Sequence, residues 1–169
     1  MPEPLVTCLQ RYLDDAKTFE RRVAGRCVLV YEPPEVDEDE DTEAHFRFRT
    51  VSGQSDAVMG GGEPVVVFLE KTKDNAMRHR ITLGRTANND IVLDDASVSR
   101  FHAWFEKTTA GAWTLADAGS KNGTELEGTP LEAKRPAALE NGNRVKIGQI
   151  DLTFLTAAGF LKFLRSKGT

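Results

Sequence analysis

The sequence predicts a mainly all-β fold: a sandwich of two antiparallel sheets, with an N-terminal extension of helix and strands and a short C-terminal helix. Three observations predict it. From Pro64 onward, seven short apolar runs follow one another: Val65–Glu70, Arg80–Leu83, Ile91–Leu93, His102–Glu106, Trp113–Ala116, Arg144–Ile147 and Ile150–Leu155. Each has the length of a strand. Turn-forming residues separate them, at Asp74-Asn75, Asn88-Asn89-Asp90, Ala110-Gly111, Gly119 to Gly123 and Asn141-Gly142-Asn143. Helical periodicity is confined to the two ends of the chain.

The 169 residues are enough for one domain with a sizeable core and a small appendage. The expected division is an extension over 1–62, a sandwich domain over 63–156 and a closing helix over 157–169. Net charge is −4, so no global field favours nucleic acid or an anionic membrane, and any phosphate site has to be local. Cys8 and Cys27 are the only cysteines. Without a basic-then-apolar secretory leader they are expected to stay reduced. No apolar run approaches the ~20 residues of a membrane span. The expected location is the cytoplasm, with no cofactor and no metal.

Leu5, Leu9, Tyr12, Leu13, Ala16 and Phe19 recur at spacings of three and four, which predicts one amphipathic helix over Pro4 to Val23, stopped at Gly25. Cys27–Tyr31 reads as a strand ended by Pro33-Pro34. Seven carboxylates between Glu35 and Glu43 read as a solvated, self-repelling loop, and Thr42 within it is a candidate phosphorylation site. The run lacks the glycine and terminal glutamate of a calcium loop. His45–Val51 alternates polar and apolar as a half-buried strand does, and with Cys27–Tyr31 predicts an added hairpin. Ser52 to Glu63, with its three consecutive glycines, reads as a linker. At the other end, Phe160, Leu161, Phe163 and Leu164 form one helical stripe, with Lys162, Arg165 and Lys167 towards its C-terminus.

Three polar clusters stand at the ends of strand-like runs: Gly84-Arg85, Ser99-Arg100-Phe101-His102 and Lys121-Asn122-Gly123-Thr124. Loops on a rigid β scaffold are a usual place for binding residues. Arg offers a planar fork of donors, Lys a point charge, Ser a hydroxyl, and Asn both a donor and an acceptor. Together they match what a phosphate and a peptide backbone require.

The order and separation of these clusters resemble the forkhead-associated (FHA) domain family, over roughly Glu63 to Leu155. The resemblance implies a phosphothreonine-peptide reader. Arg85 and Ser99 would contact phosphate, and Arg100 and Lys121 would add cations. Asn122 would clamp the peptide backbone. Gly84, His102, Gly123 and Thr124 would support the site, with His102 holding the loops rather than working as a catalyst. Asn88, Asn89 and Asp90 are expected to fix the Arg85 loop. Selectivity for threonine would use a small pocket for its methyl group. Asp94-Asp95 beside the site would disfavour an acidic ligand residue and favour a basic one. The implied partner is a phosphothreonine-containing protein, either a substrate of a Ser/Thr kinase or the kinase itself, with no role for nucleic acid or membrane.

Ser99, His102 and Asp117 are also the residue types of a hydrolase triad. No GxSxG elbow or α/β alternation surrounds them, so no enzyme is expected. The alternative is a phosphate-independent interaction or dimerisation module on the same fold, using the N-terminal helix, the added strands or the C-terminal helix, and the amphipathic Pro4 to Val23 segment supports it.

Overall fold

A computed structural model describes residues 2–34, 47–52, 55–59 and 63–168. Within them lie strands β1 (Pro2–Pro4), β2 (Val28–Tyr31), β3 (Arg47–Ser52), β4 (Ser55–Met59), β5 (Val65–Phe68), β6 (Arg80–Gly84) and β7 (Ile91–Asp94). Next come β8 (Ala103–Lys107), β9 (Trp113–Asp117), β10 (Thr124–Leu126), β11 (Thr129–Pro130), β12 (Ala137–Ala138), β13 (Arg144–Ile147) and β14 (Ile150–Leu155). The helices are α1 (Leu5–Asp14), α2 (Ala16–Val23) and α3 (Ala157–Lys167).

The strands form two sheets, ordered β1-β5-β2-β14-β13-β10-β11 and β12-β9-β8-β6-β7-β3-β4. All seven runs expected after Pro64 are strands in this sandwich. One pairing departs from the antiparallel expectation: β6 and β7 run parallel, with Leu83 opposite Ile91 and Gly84 opposite Val92. Because β7 begins level with the end of β6, the intervening loop need not make the long crossover that parallel neighbours usually require.

The strand at Cys27–Tyr31 is not half of an added hairpin. β2 lies inside the first sheet, paired with β14 on one side and β5 on the other. Its burial explains this. Leu29 and Tyr31 face the core between the sheets, while Val28 and Val30 face a second cluster under the helices. A strand covered on both faces reads as a continuous apolar run, which gives no hint of its neighbours. β3 pairs instead with β4 and β7, so Ser55–Met59, expected as linker, is also a strand. The acidic run, Thr42 and the three glycines fall outside the described residues.

The expected single N-terminal helix is two. Asp15 has φ −152°, and its carboxylate accepts the Thr18 N–H at 3.1 Å. It therefore caps α2 rather than continuing α1. Gly25, at φ +71°, ends the segment in the left-handed conformation that glycine adopts most readily. Beneath the helices, Leu5, Cys8, Phe19, Val23, Phe160 and Leu164 pack on Val66 and Phe68 of β5. Thr156 caps α3 through Gly159 N–H at 3.2 Å, and Arg165 ties α3 to Tyr12 (3.1 Å) and Glu20 (3.2 Å). The helices thus cover one sheet's outer face.

Candidate functional site

The site lies where the loops after β6, before β8 and before β10 meet. Gly84 brings the first two together. A Cβ there would lie 2.2 Å from the Arg100 carbonyl oxygen, so only glycine permits the approach. Asn89, buried, bridges the same gap by donating Nδ2 to the carbonyls of Thr86 (2.9 Å) and Arg100 (2.7 Å). Arg85 N–H then donates to the Ser99 carbonyl at 3.0 Å. Asp90 anchors the far end of the loop, accepting Thr82 N–H (2.8 Å), Thr72 N–H (2.8 Å) and the Lys71 ammonium (2.7 Å). These contacts match the role expected of Asn89 and Asp90.

The second junction is His102, fully buried beneath the site. Nδ1 accepts the Ser99 N–H at 3.0 Å, so Nε2 carries the proton and donates to the Gly123 carbonyl at 2.9 Å. Burial holds its pKa below the usual histidine range, against the opposing pulls of Gly123 and Asp117. Both ring nitrogens are taken by backbone groups, so Ser99 and His102 form no nucleophile–base pair. Asp117 is also committed: it accepts Gly119 N–H (2.9 Å), Ser120 N–H (3.0 Å) and the Thr124 hydroxyl (2.7 Å). Gly123, at φ +85°, makes the turn into β10. All four supporting residues expected from the sequence touch this framework.

A consequence follows for pH. The unfolded ring titrates near about 6.5, and the folded ring titrates lower. The folded state therefore binds fewer protons. Its stability should be full above about pH 6.5 and fall as the pH drops below that value. Urea unfolding at several pH values should show this slope, and the slope should be reduced in His102→Gln.

Above the framework is an open cleft of about 450 Å³, lined by Arg85, Ala96, Ser97, Val98, Ser99, Arg100, Phe101, Lys121 and Asn122. All five candidate binding residues line it, and no carboxylate does. Arg85, Arg100 and Lys121 have no ion-pair partner among the described residues, although the chain as a whole is acidic. The Ser99 hydroxyl oxygen accepts Lys121 N–H at 3.0 Å, which leaves its proton free for an acceptor. Asn122 donates Nδ2 to the Ser97 carbonyl at 2.8 Å. Phe101 stacks on Trp104 with ring centroids 6.0 Å apart, consistent with packing. Unpaired cations, a free hydroxyl proton and a free amide oxygen suit a phosphate attached to a peptide.

Asp95 shapes the turn that leads to Ser99. Its carboxylate accepts Ser97 N–H (2.8 Å) and the Ser97 hydroxyl (2.6 Å), closing a local turn. Ser97 and Gly148 are the site residues that sequence reasoning missed. The Asp-x-Ser spacing was a readable turn signal for Ser97, whereas Gly148 gave none. Among the described residues no three His, Cys, Asp or Glu side chains converge as metal ligands.

A model of the FHA domain family matches residues 81–148. The glycogen accumulation regulator GarA of Mycolicibacterium smegmatis is 44% identical over 73 residues, which cover 43% of this chain and 44% of that protein. The oxoglutarate dehydrogenase inhibitor of Corynebacterium jeikeium is 39% identical over 75 residues, covering 44% of this chain and 49% of that protein. The chain thus spans under half the length of these relatives. Among solved structures, the N-terminal FHA domain of Saccharomyces cerevisiae Rad53p in complex with a phosphothreonine peptide aligns with a TM-score of 0.48 at 20% identity, over 70% of this chain and 98% of that one.

Proposed function

We propose that residues 81–148, which match the FHA domain family, form such a domain and that the protein is a phosphothreonine-peptide-binding signalling module with no catalytic activity of its own. The observation that carries this reading is the cleft: three cations without ion-pair partners, a hydroxyl with its proton free, and Asn122, with no carboxylate among the lining residues. Arg85 takes the phosphate as a planar fork, assisted by Ser99, Arg100 and Lys121, while Asn122 engages the backbone. The reading unit comprises residues 63–156 together with β2, which completes its first sheet. The partner is a phosphorylated substrate of a Ser/Thr kinase, or such a kinase. The names of the curated relatives, a regulator and an inhibitor, agree with a role in control rather than turnover. Cytoplasmic residence belongs to the same proposal; Cys8 and Cys27 are buried free thiols, and no described helix is long and apolar enough to cross a membrane.

One observation favours the alternative. Val6 on α1, 67% exposed, lines a groove of about 460 Å³ with Pro4, Leu5, Leu9 and Pro64, and Leu13 on the same helix is 58% exposed. A phosphate-independent partner would use that face. A titration separates the readings. The purified chain is screened against a degenerate phosphothreonine library, and the best peptide is compared with its unphosphorylated twin. Binding of the phosphorylated form alone, weakening as salt rises, is the expected result. Equal affinity for both forms would transfer the function to the helical face.

A further inference from the structure

Two Asn-Gly pairs occur in the chain, Asn122-Gly123 at the cleft and Asn141-Gly142 in the turn before β13, and both asparagines are exposed. Such a pair carries a latent reaction. Once the glycine N–H loses its proton to water or hydroxide, the nitrogen attacks the asparagine Cγ. A new C–N bond closes a succinimide ring, the Cγ–Nδ2 bond breaks, and ammonia leaves with the proton returned. Water then opens the ring to aspartate or isoaspartate, so a neutral amide becomes a carboxylate. Glycine, without a Cβ, obstructs the approach least.

We infer that Ser120 is a positioning residue that holds this reaction back at Asn122. Its hydroxyl oxygen accepts the Gly123 N–H at 3.0 Å, the hydrogen that has to be lost. The same hydroxyl donates its own proton to Asp117, which leaves a lone pair for Gly123. Ionisation of the Gly123 N–H therefore forfeits a hydrogen bond. Gly123 is fixed from its other side as well. Its carbonyl accepts His102 Nε2–H at 2.9 Å and Gly148 N–H at 3.1 Å. The target group is tied elsewhere: Asn122 Nδ2 donates to the Ser97 carbonyl at 2.8 Å. Gly148 packs so closely on that carbonyl that a Cβ would lie 2.5 Å from its oxygen. Nucleophile and target are thus bound to different partners, and neither turns onto the other without breaking one. Asn141-Gly142 is held differently. Gly142 N–H donates to a backbone carbonyl, that of Phe154, at 2.8 Å. Substituting Ser120 leaves that acceptor in place, so Asn141 serves as an internal control. The consequence for binding rests on the reading of the cleft given above. No carboxylate lines the cleft, and conversion of Asn122 would introduce one where a phosphate is to sit, opposing it.

The test uses the full chain, without peptide, at mildly alkaline pH. Aspartate and isoaspartate at each pair are counted over time by mass spectrometry. In wild type both pairs should convert about tenfold or more slowly than in the urea-unfolded chain, because a protected amide reacts only through local opening. Ser120→Ala should speed conversion at Asn122 about three- to tenfold, the net worth of the bond removed, and leave Asn141 within about twofold of wild type. The inference is overturned if Asn122 converts at the wild-type rate in Ser120→Ala. It is equally overturned if both pairs speed up together, since Ser120 would then act through the stability of the whole fold. Should the variant fail to fold, wild type is followed in sub-denaturing urea alongside amide hydrogen exchange. Conversion at Asn122 should then rise in step with exchange at Gly123, and conversion at the unfolded rate while Gly123 N–H stays protected would overturn the inference. Converted chains, separated by their added negative charge, should bind the best phosphothreonine peptide about tenfold or more weakly. Equal binding would overturn that consequence and the place of Asn122 in the reading of the cleft, while the rates, taken without peptide, would stand.

Discussion

Replacing Arg85 by alanine should reduce affinity for a phosphothreonine peptide by about 2–3 kcal/mol, on the order of 30- to 150-fold, while leaving the fold intact. The guanidinium lines the cleft and has no partner among the described residues, so its removal orphans nothing in the free protein. The N–H of Arg85 donates to the Ser99 carbonyl at 3.0 Å, and this backbone bond survives in alanine. The cleft is open to solvent and salt, which places the loss at the lower end of what removal of a paired charge costs. Arg85→Lys should fall between, because a lysine keeps the charge but not the two-pronged donor geometry. Isothermal titration with thermal melts as a control decides it. Unchanged affinity in Arg85→Ala would mean that phosphate is held elsewhere or not at all.

Asp90→Ala should have the largest effect on stability, about 3–5 kcal/mol. The side chain is fully buried, at 0% exposure. Its two oxygens accept the backbone N–H groups of Thr72, Lys73 and Thr82, each at 2.8 Å, as well as the Thr82 hydroxyl and the Lys71 ammonium. Truncation removes the partner of three backbone donors; those of Lys73 and Thr82 are part-buried, where each loss costs about 1–3 kcal/mol, while that of Thr72 is open to water. Burial alone would raise the carboxyl pKa. The Lys71 and backbone donors outweigh it and hold the value below the usual carboxylate range. The folded state therefore binds the proton less readily than the unfolded chain. This contribution should be complete above about pH 4 and lost as the pH falls below it. Chemical denaturation of wild type and variant across that range measures both the offset and its disappearance at low pH. Since Asp90 ends the loop that carries Arg85, the variant should also bind peptide more weakly than its remaining folded fraction accounts for.

The two substitutions mark different degrees of legibility. That Arg85, Ser99 and Asn122 meet at one cleft was readable because they stand in short, ordered motifs at the ends of strand-like runs. The turn at Asn88-Asn89-Asp90 was readable for a similar reason, since these side chains act on backbone nearby. The break at Asp15 was also available in the sequence: a cap residue in the middle of a periodic segment competes with the helix it interrupts. The place of β2 was hidden. A strand buried on both faces has no alternation from which its neighbours can be inferred, and its partners, Val65–Phe68 and Ile150–Leu155, lie far along the chain.

The sequence by itself determined the sandwich, the strands after Pro64 and the chemical identity of the groups that converge at its rim. Those depend on local spacing and on what each side chain can donate or accept. Tertiary structure alone decided which backbone groups His102 joins, that Asp95 accepts from Ser97, and that Gly84 and Gly148 must lack a side chain. Each of those facts is a distance between loops, set by the packing of two sheets, and no residue carries that distance in its own chemistry.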